Sequence, residues 1–207
     1  MTGRVKEKRR YTASLRREQA GLTRSRIVDA ARRLMAAGTY STVTIGDVAI
    51  EAGVAYQTVY ATFGTKLQLA QAVIDLGWPH VDAALGEFEV ARASTDPRVW
   101  LRMVGRVTRR IYEPCADLVR FMRASGDPAL LARYQRLEDE RFASFQDLTD
   151  QLHGGGHLRS DVTPSEATAV LWAMSSGDWY SQFVFQRGWT PDRYEKWLGD
   201  ALIRLLL

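Results

Sequence analysis

From Ile27 onward, apolar positions recur at steps of three and four residues. Ile27, Ala30, Ala31, Leu34 and Met35 fall on one helical face, which the pattern opens at Thr23 as N-cap and closes at Gly38. Ile45, Val48 and Ala49 begin a second face, and Val59 and Phe63 supply a third, so three short helices share one small core. Thr44 followed by Asp47 is a variant of the capping box and predicts a helix over 45–52. Gly53 then offers a positive-φ position that most residues resist. A further helix is predicted over 55–62, with Val54 plugging the corner, Val59 turned inward and small Ala49 letting the two helices cross closely. The pattern is that of a helix-turn-helix, whose second helix can enter a DNA major groove, or of an ordinary helical corner.

The remaining chain keeps the helical period, and nowhere do β-branched residues alternate with polar ones over the length of a strand. Trp100, Met103, Val104, Val107 and Ile111 make a stripe that Pro114 is expected to end. Leu118, Val119, Phe121 and Met122 form a short segment bounded by Gly126-Asp127-Pro128. A long helix follows from about Leu131 to the glycines at 154–156, and Pro164 and Pro191 open the last two helices. With no strand before the triple glycine and no Lys-Ser/Thr pair after it, that run reads as a helix-ending turn and not a phosphate loop. The predicted architecture is all-α, with about nine helices in an N-terminal three-helix helix-turn-helix domain (23–69) and a C-terminal helical domain (70–207).

Composition sharpens this picture at few points. A hydrophobic content of 46% is ample for a folded core. Neither a run of about 18 apolar residues nor a secretion signal is evident, which predicts a cytoplasmic chain with no membrane partner. Cys115 is expected as a packed thiol, His80, His153 and His157 lack a supporting cluster, and no nucleophile and base recur at a useful spacing. No cofactor, metal or enzymatic activity is therefore expected.

Charge changes the picture more. Residues 1–33 carry eleven Lys and Arg against three acids, a local +8 in a chain whose net charge is +4. Residues 1–22 read as a basic arm, mobile until it meets a partner, and such an arm suits a polyanion. The helix after Gly53 leaves Tyr56, Gln57, Thr58, Tyr60, Ala61 and Thr62 on its outer sides, groups suited to base edges and phosphates. Thr65 and Gln68 form a second capping box that sets Lys66 at a helix N-terminus, where a phosphate oxygen is favoured. Together these features make double-stranded DNA the expected partner.

Residues 24–69, carried by the stretch IVDAARRLMAAGTYSTVTIGDVAIEAGVAYQTVYATFGTKLQL from Ile27 onward, resemble the DNA-binding domain of the TetR family of transcriptional regulators. The resemblance rests on Ile27, Ala30, Ala31, Gly38, Thr44, Ile45, Asp47, Val48, Gly53, Thr58, Tyr60, Phe63, Lys66 and Leu69, among others. A later stretch, HLRSDVTPSEATAVLWAMSSG, resembles the loop and penultimate helix of that family. The resemblance implies a homodimer on a palindromic operator, and a divergent C-terminal domain whose small-molecule effector shifts DNA affinity by moving a helix from about Lys66 to Trp78. It also implies that Thr58, Tyr60, Thr62 and Lys66 meet DNA, with Thr44 on a phosphate. Ala55 departs from the pattern, standing where the family usually caps its recognition helix with serine, and Gly46 lies inside the preceding helix.

Two surfaces of the second domain are candidates for those roles. Trp100, Met103, Val107, Tyr112, Phe121, Met122, Tyr134, Phe142 and Phe145 are rich in aromatics and Met and are candidates to line a cavity for an apolar or aromatic ligand, with Arg120, Arg123 and Arg141 able to orient an acidic group. Trp172, Ser176, Trp179, Phe183, Trp197, Leu198 and Leu202 make an apolar stripe with a small-residue patch, a candidate dimer interface. The overall expectation is a transcriptional repressor released from its operator by a ligand. The alternatives are a ligand-independent or architectural DNA-binding protein, or a helical small-molecule binder without a specific DNA role.

Overall fold

A computed structural model describes the backbone of residues 2–38 and 40–207, and the side chains from Ser14 onward apart from those of Thr39 and Trp78. Among the described residues there is no strand, and nine α-helices reach eight residues or more: α1 (Thr2–Ala37), α2 (Ile45–Ala52), α3 (Tyr56–Phe63), α4 (Lys66–Ile74), α5 (Trp78–Ala91), α6 (Pro97–Ala124), α7 (Pro128–Gly154), α8 (Pro164–Met174) and α10 (Pro191–Leu206). The four-residue α9 (Gly177–Tyr180) runs on as a π-helical stretch over Ser181–Gln186. The helices gather into two compact units, Met1–Asp75 and Leu76–Leu207.

The first unit is built as the apolar spacing demands. Ile27, Ala30, Ala31 and Met35 of α1 are buried against Val48 and Ala49 of α2, Val59 and Phe63 of α3, and Leu69, Ala70, Val73 and Ile74 of α4. The helix 45–52 has the predicted bounds, and Gly53 ends it at φ 62° with its N–H reaching the carbonyls of Ala49 and Ile50. Thr23 is not an N-cap: α1 continues through it as far back as Thr2. Residues 14–22 are mainly straight-chain side chains that lose little freedom in a helix, and adding turns to an existing helix avoids the cost of nucleation. The basic side chains at positions 4–10, which weigh most in the expected arm, lie outside the described side chains.

In the second unit, Pro114 does not end the stripe that begins at Trp100. Helix α6 passes through it to Ala124. Proline removes one backbone hydrogen bond, a cost of about 3 kcal/mol inside a helix. On its far side Cys115, Ala116, Leu118, Phe121 and Met122 are all buried, and burying each large apolar side chain contributes roughly 1.5–3 kcal/mol, so packing wins. Helix α10 packs chiefly on α6, and α8 on α7. The first side chain of each of α6, α7, α8 and α10 is a proline, preceded by a capping Asp or Thr. The glycine run closes α7, with Gly156 at φ 66°.

Candidate functional site

Helix α3 is held in place from beneath. Val59 is fully buried and Phe63 nearly so, Arg24 of α1 lays its guanidinium 4.5 Å from the Phe63 ring centroid, and Arg26 donates to the carbonyls of Ala52 and Gly53 at 3.1 and 3.3 Å. These contacts fix the turn and the start of α3 relative to α1. The outer side carries Tyr56, Gln57, Tyr60, Ala61 and Thr62, all exposed, with Thr58 half-buried. Tyr56 and Tyr60 are 51% and 59% exposed, and their rings stack with centroids 6.5 Å apart. Seven residues sharing a shallow groove, among them Gln19, Arg24, Thr58 and Thr62, extend this surface onto α1.

Around the helix ends the polar groups are largely engaged. Thr44 and Asp47 form the full reciprocal box: the Thr44 hydroxyl accepts from the Asp47 N–H at 3.1 Å, and the carboxylate accepts from the Thr44 N–H at 2.8 Å. The Thr44 hydroxyl also donates to that carboxylate at 2.7 Å, and this bond, together with the one from the Thr44 N–H, holds the Asp47 carboxyl below its ordinary pKa. The second box is realised by half. Thr65 accepts from the Gln68 N–H at 3.1 Å, but the Gln68 side chain takes the Thr65 hydroxyl instead of its backbone N–H. Lys66 is half-buried; its ammonium lies 4.5 Å from the Tyr40 ring centroid and donates to the Ser41 carbonyl at 3.4 Å. Burial lowers its pKa, with the Asp47 carboxylate pulling the other way. Ala55, at the N-cap of α3, makes no side-chain cap bond.

Residues 27–73 match the family model of bacterial regulatory proteins of the tetR family. Over that segment the chain is similar to the TetR family of regulators. A curated relative, the HTH-type transcriptional regulator AlkX of Mycobacterium tuberculosis, is 35% identical in a 75-residue alignment that covers 32% of this chain and 36% of that protein. Among solved structures, a TetR family regulator from Chloroflexus aurantiacus superposes with TM-score 0.70 at 22% identity, covering 89% of this chain and 93% of that one. NalD, the secondary repressor of the MexAB-OprM multidrug efflux pump in Pseudomonas aeruginosa, gives 0.65 at 20%, covering 91% and 98%. FadR of Bacillus subtilis, solved with stearoyl-CoA, gives 0.65 at 13%, covering 86% and 97%. At these identities the structural likeness establishes the TetR fold.

The second unit encloses a cavity of about 650 Å³ between α5, α6 and α7. Of the nine residues expected to line it, Val107, Tyr112, Met122, Tyr134 and Phe145 do. Trp100, Met103, Phe121 and Phe142 do not. Trp100 donates to the Ser94 carbonyl at 2.9 Å, Phe121 is packed into the core, and Phe142 stands edge-on to Trp172. A continuous α6 carries Trp100, Met103 and Phe121 around the helix, so a single stripe cannot keep all of them on one wall, and Phe142 on α7 turns to Trp172 instead. The α5 wall, Val81, Leu85 and Phe88, was missed although its spacing of four and three was present in the sequence. Of the three arginines, only Arg141 reaches the cavity; Arg120 is exposed and Arg123 pairs with Asp178.

The seven residues expected at a dimer interface divide as well. Leu198 and Leu202 are fully buried within the chain, in one core with Leu101, Val104, Leu171 and Tyr194, so they cannot serve as an exposed interface. The stripe on α10 faces α6 because the internal core needed it first. Trp179 and Trp197 stack at 5.9 Å and, with Phe183 and Trp189, form a half-exposed aromatic cluster across α9, the π-helical stretch and α10. Ser176 caps α9 by accepting from the Trp179 N–H, and Trp172 is 37% exposed while its indole N–H donates to Glu138 at 3.0 Å. Among the described residues no helix is long and apolar enough to cross a membrane.

Proposed function

We propose that the chain is a sequence-specific DNA-binding transcriptional repressor whose α3 enters the major groove. The observation that carries the reading is the two-sidedness of α3: Val59 and Phe63 anchor one side, while Tyr56, Gln57, Tyr60 and Thr62 stand exposed on the other. Gln57 suits a bidentate contact to adenine, the Thr58 and Thr62 methyls suit thymine, and the tyrosine hydroxyls and Thr44 suit phosphate. Lys66 contributes positive charge near α4 from its seat on Tyr40, and the basic first helix adds attraction that carries no sequence information.

Two copies are needed to read a palindrome, and the half-exposed cluster of Trp179, Phe183 and Trp197, with Ser176 capping α9 and Trp172 exposed on α8, supports self-association through α8 to α10. The cavity in the second unit is the effector site, and a ligand that prefers one spacing of the paired recognition helices releases the operator. A coupling of ~1–3 kcal/mol changes affinity roughly 5- to 150-fold. No catalytic step enters this reading. Selection of bound duplexes from a random pool with purified full-length protein should return a palindrome. Recovery of unrelated sequences would refute specific recognition.

A further inference from the structure

The cavity wall carries one polar assembly. Arg141 donates through one terminal nitrogen to the Glu138 carboxylate at 2.6 Å and through the other to the Trp172 carbonyl at 2.6 Å, while the Trp172 indole donates to the same carboxylate. Both members of this pair are largely buried, with side chains 19% and 15% exposed, so the charges neutralise each other away from bulk water. One donor is left over. The Arg141 Nε–H is buried and has no acceptor among the described residues. An unmet buried N–H is costly, and a ligand oxygen is the group that would satisfy it.

The other charges on the lining decide what kind of oxygen. Asp82 and Glu140 also line the cavity, and no lysine or second arginine does. A ligand carboxylate at Arg141 would lie beside Glu138 and share a guanidinium that Glu138 already neutralises, with no other cation to compensate it. An ammonium suits the carboxylates but has no lone pair to offer the Nε–H. The rest of the wall is mainly apolar, including Leu85, Phe88, Ile111 and Val119.

Resting on the reading of this cavity as the effector site, we infer that its ligand is an uncharged amphiphile, an apolar body bearing a carbonyl, ether or hydroxyl oxygen that accepts from Arg141, and not a fatty acid, acyl thioester or lipophilic cation. Carbon-matched probes test this on the full chain by calorimetry and tryptophan quenching: decan-2-one, decane, decanoate and decylammonium. The ketone should bind at least tenfold tighter than each of the other three. Glu138→Gln, which uncovers the arginine charge at nearly constant volume, should raise decanoate affinity at least tenfold while changing that of the ketone less than threefold. Decanoate or decylammonium binding the natural chain as tightly as the ketone overturns the inference without any variant, as does an unchanged acid affinity in folded Glu138→Gln. If such a charged probe also releases DNA, the effector-site reading survives and the ligand class alone is wrong. If none of the four binds up to its solubility limit, both fail.

Discussion

The hydroxyl of Thr62 donates to the carbonyl of Thr58 one turn earlier on α3, at 2.7 Å. Thr62 therefore presents its methyl and oxygen lone pairs to a ligand but has no free proton to give. Thr62→Val keeps the methyl and should leave operator affinity within about threefold, whereas Gln57→Ala removes a bidentate group and should cost about 1–3 kcal/mol. Titration of the selected operator by fluorescence anisotropy at fixed salt separates the two.

Ala55 leaves the first turn of α3 uncapped by any side chain, although its φ of −69° and ψ of 146° suit a capping residue. Ala55→Ser should stabilise the first unit by about 0.5–2 kcal/mol, seen as a higher urea midpoint with unchanged slope. A lower midpoint would mean that the hydroxyl finds no N–H to accept from.

Acid should weaken the two capping boxes that contain a carboxylate, Thr44 with Asp47 at the start of α2 and Thr163 with Glu166 at the start of α8. The carboxyls of Asp47 and Glu166 are held below their ordinary pKa values by the Thr44 and Thr163 hydroxyls and N–H groups. A depressed folded pKa gives stability that is present above the ordinary values of 3.8 and 4.5 and is lost as pH falls through the folded values. The difference in melting temperature between the natural chain and Asp47→Ala should accordingly shrink between pH 6 and pH 3. A difference independent of pH would show that the carboxylate charge contributes nothing.

Helices α6 and α10 meet through glycine. A Cβ on Gly105 would lie 2.6 Å from the Glu195 carbonyl oxygen, and one on Gly199 would lie 3.0 Å from the Arg102 Cα. Gly105→Ala should force the helices apart and destabilise the second unit by about 1–3 kcal/mol, more than its gain in helix propensity. Denaturant titration followed by tryptophan emission reports it, and a stabilised variant would contradict the close approach.

Much of the first unit was legible because its determinants are local. The capping box at Thr44, the turn at Gly53 and the burial of Val59 all follow from spacings of a few residues, and each lies where the pattern puts it. The basic segment was misjudged at Thr23 because a helix entered from its middle needs no cap there. In the second unit the aromatic content pointed to a cavity, and five of nine residues line it, but the spacing of Val81, Leu85 and Phe88 on α5 does not by itself tell which helices that stripe faces.

The sequence by itself determined the all-α class, the helix-turn-helix and the polar outer side of α3, because period, capping and turn chemistry act between near neighbours. Only the tertiary structure decided that α6 runs through Pro114, that Leu198 and Leu202 belong to the internal core, and that Arg141 is neutralised by Glu138 against the cavity. Those outcomes depend on which surfaces compete for burial, and that competition is settled between helices far apart along the chain.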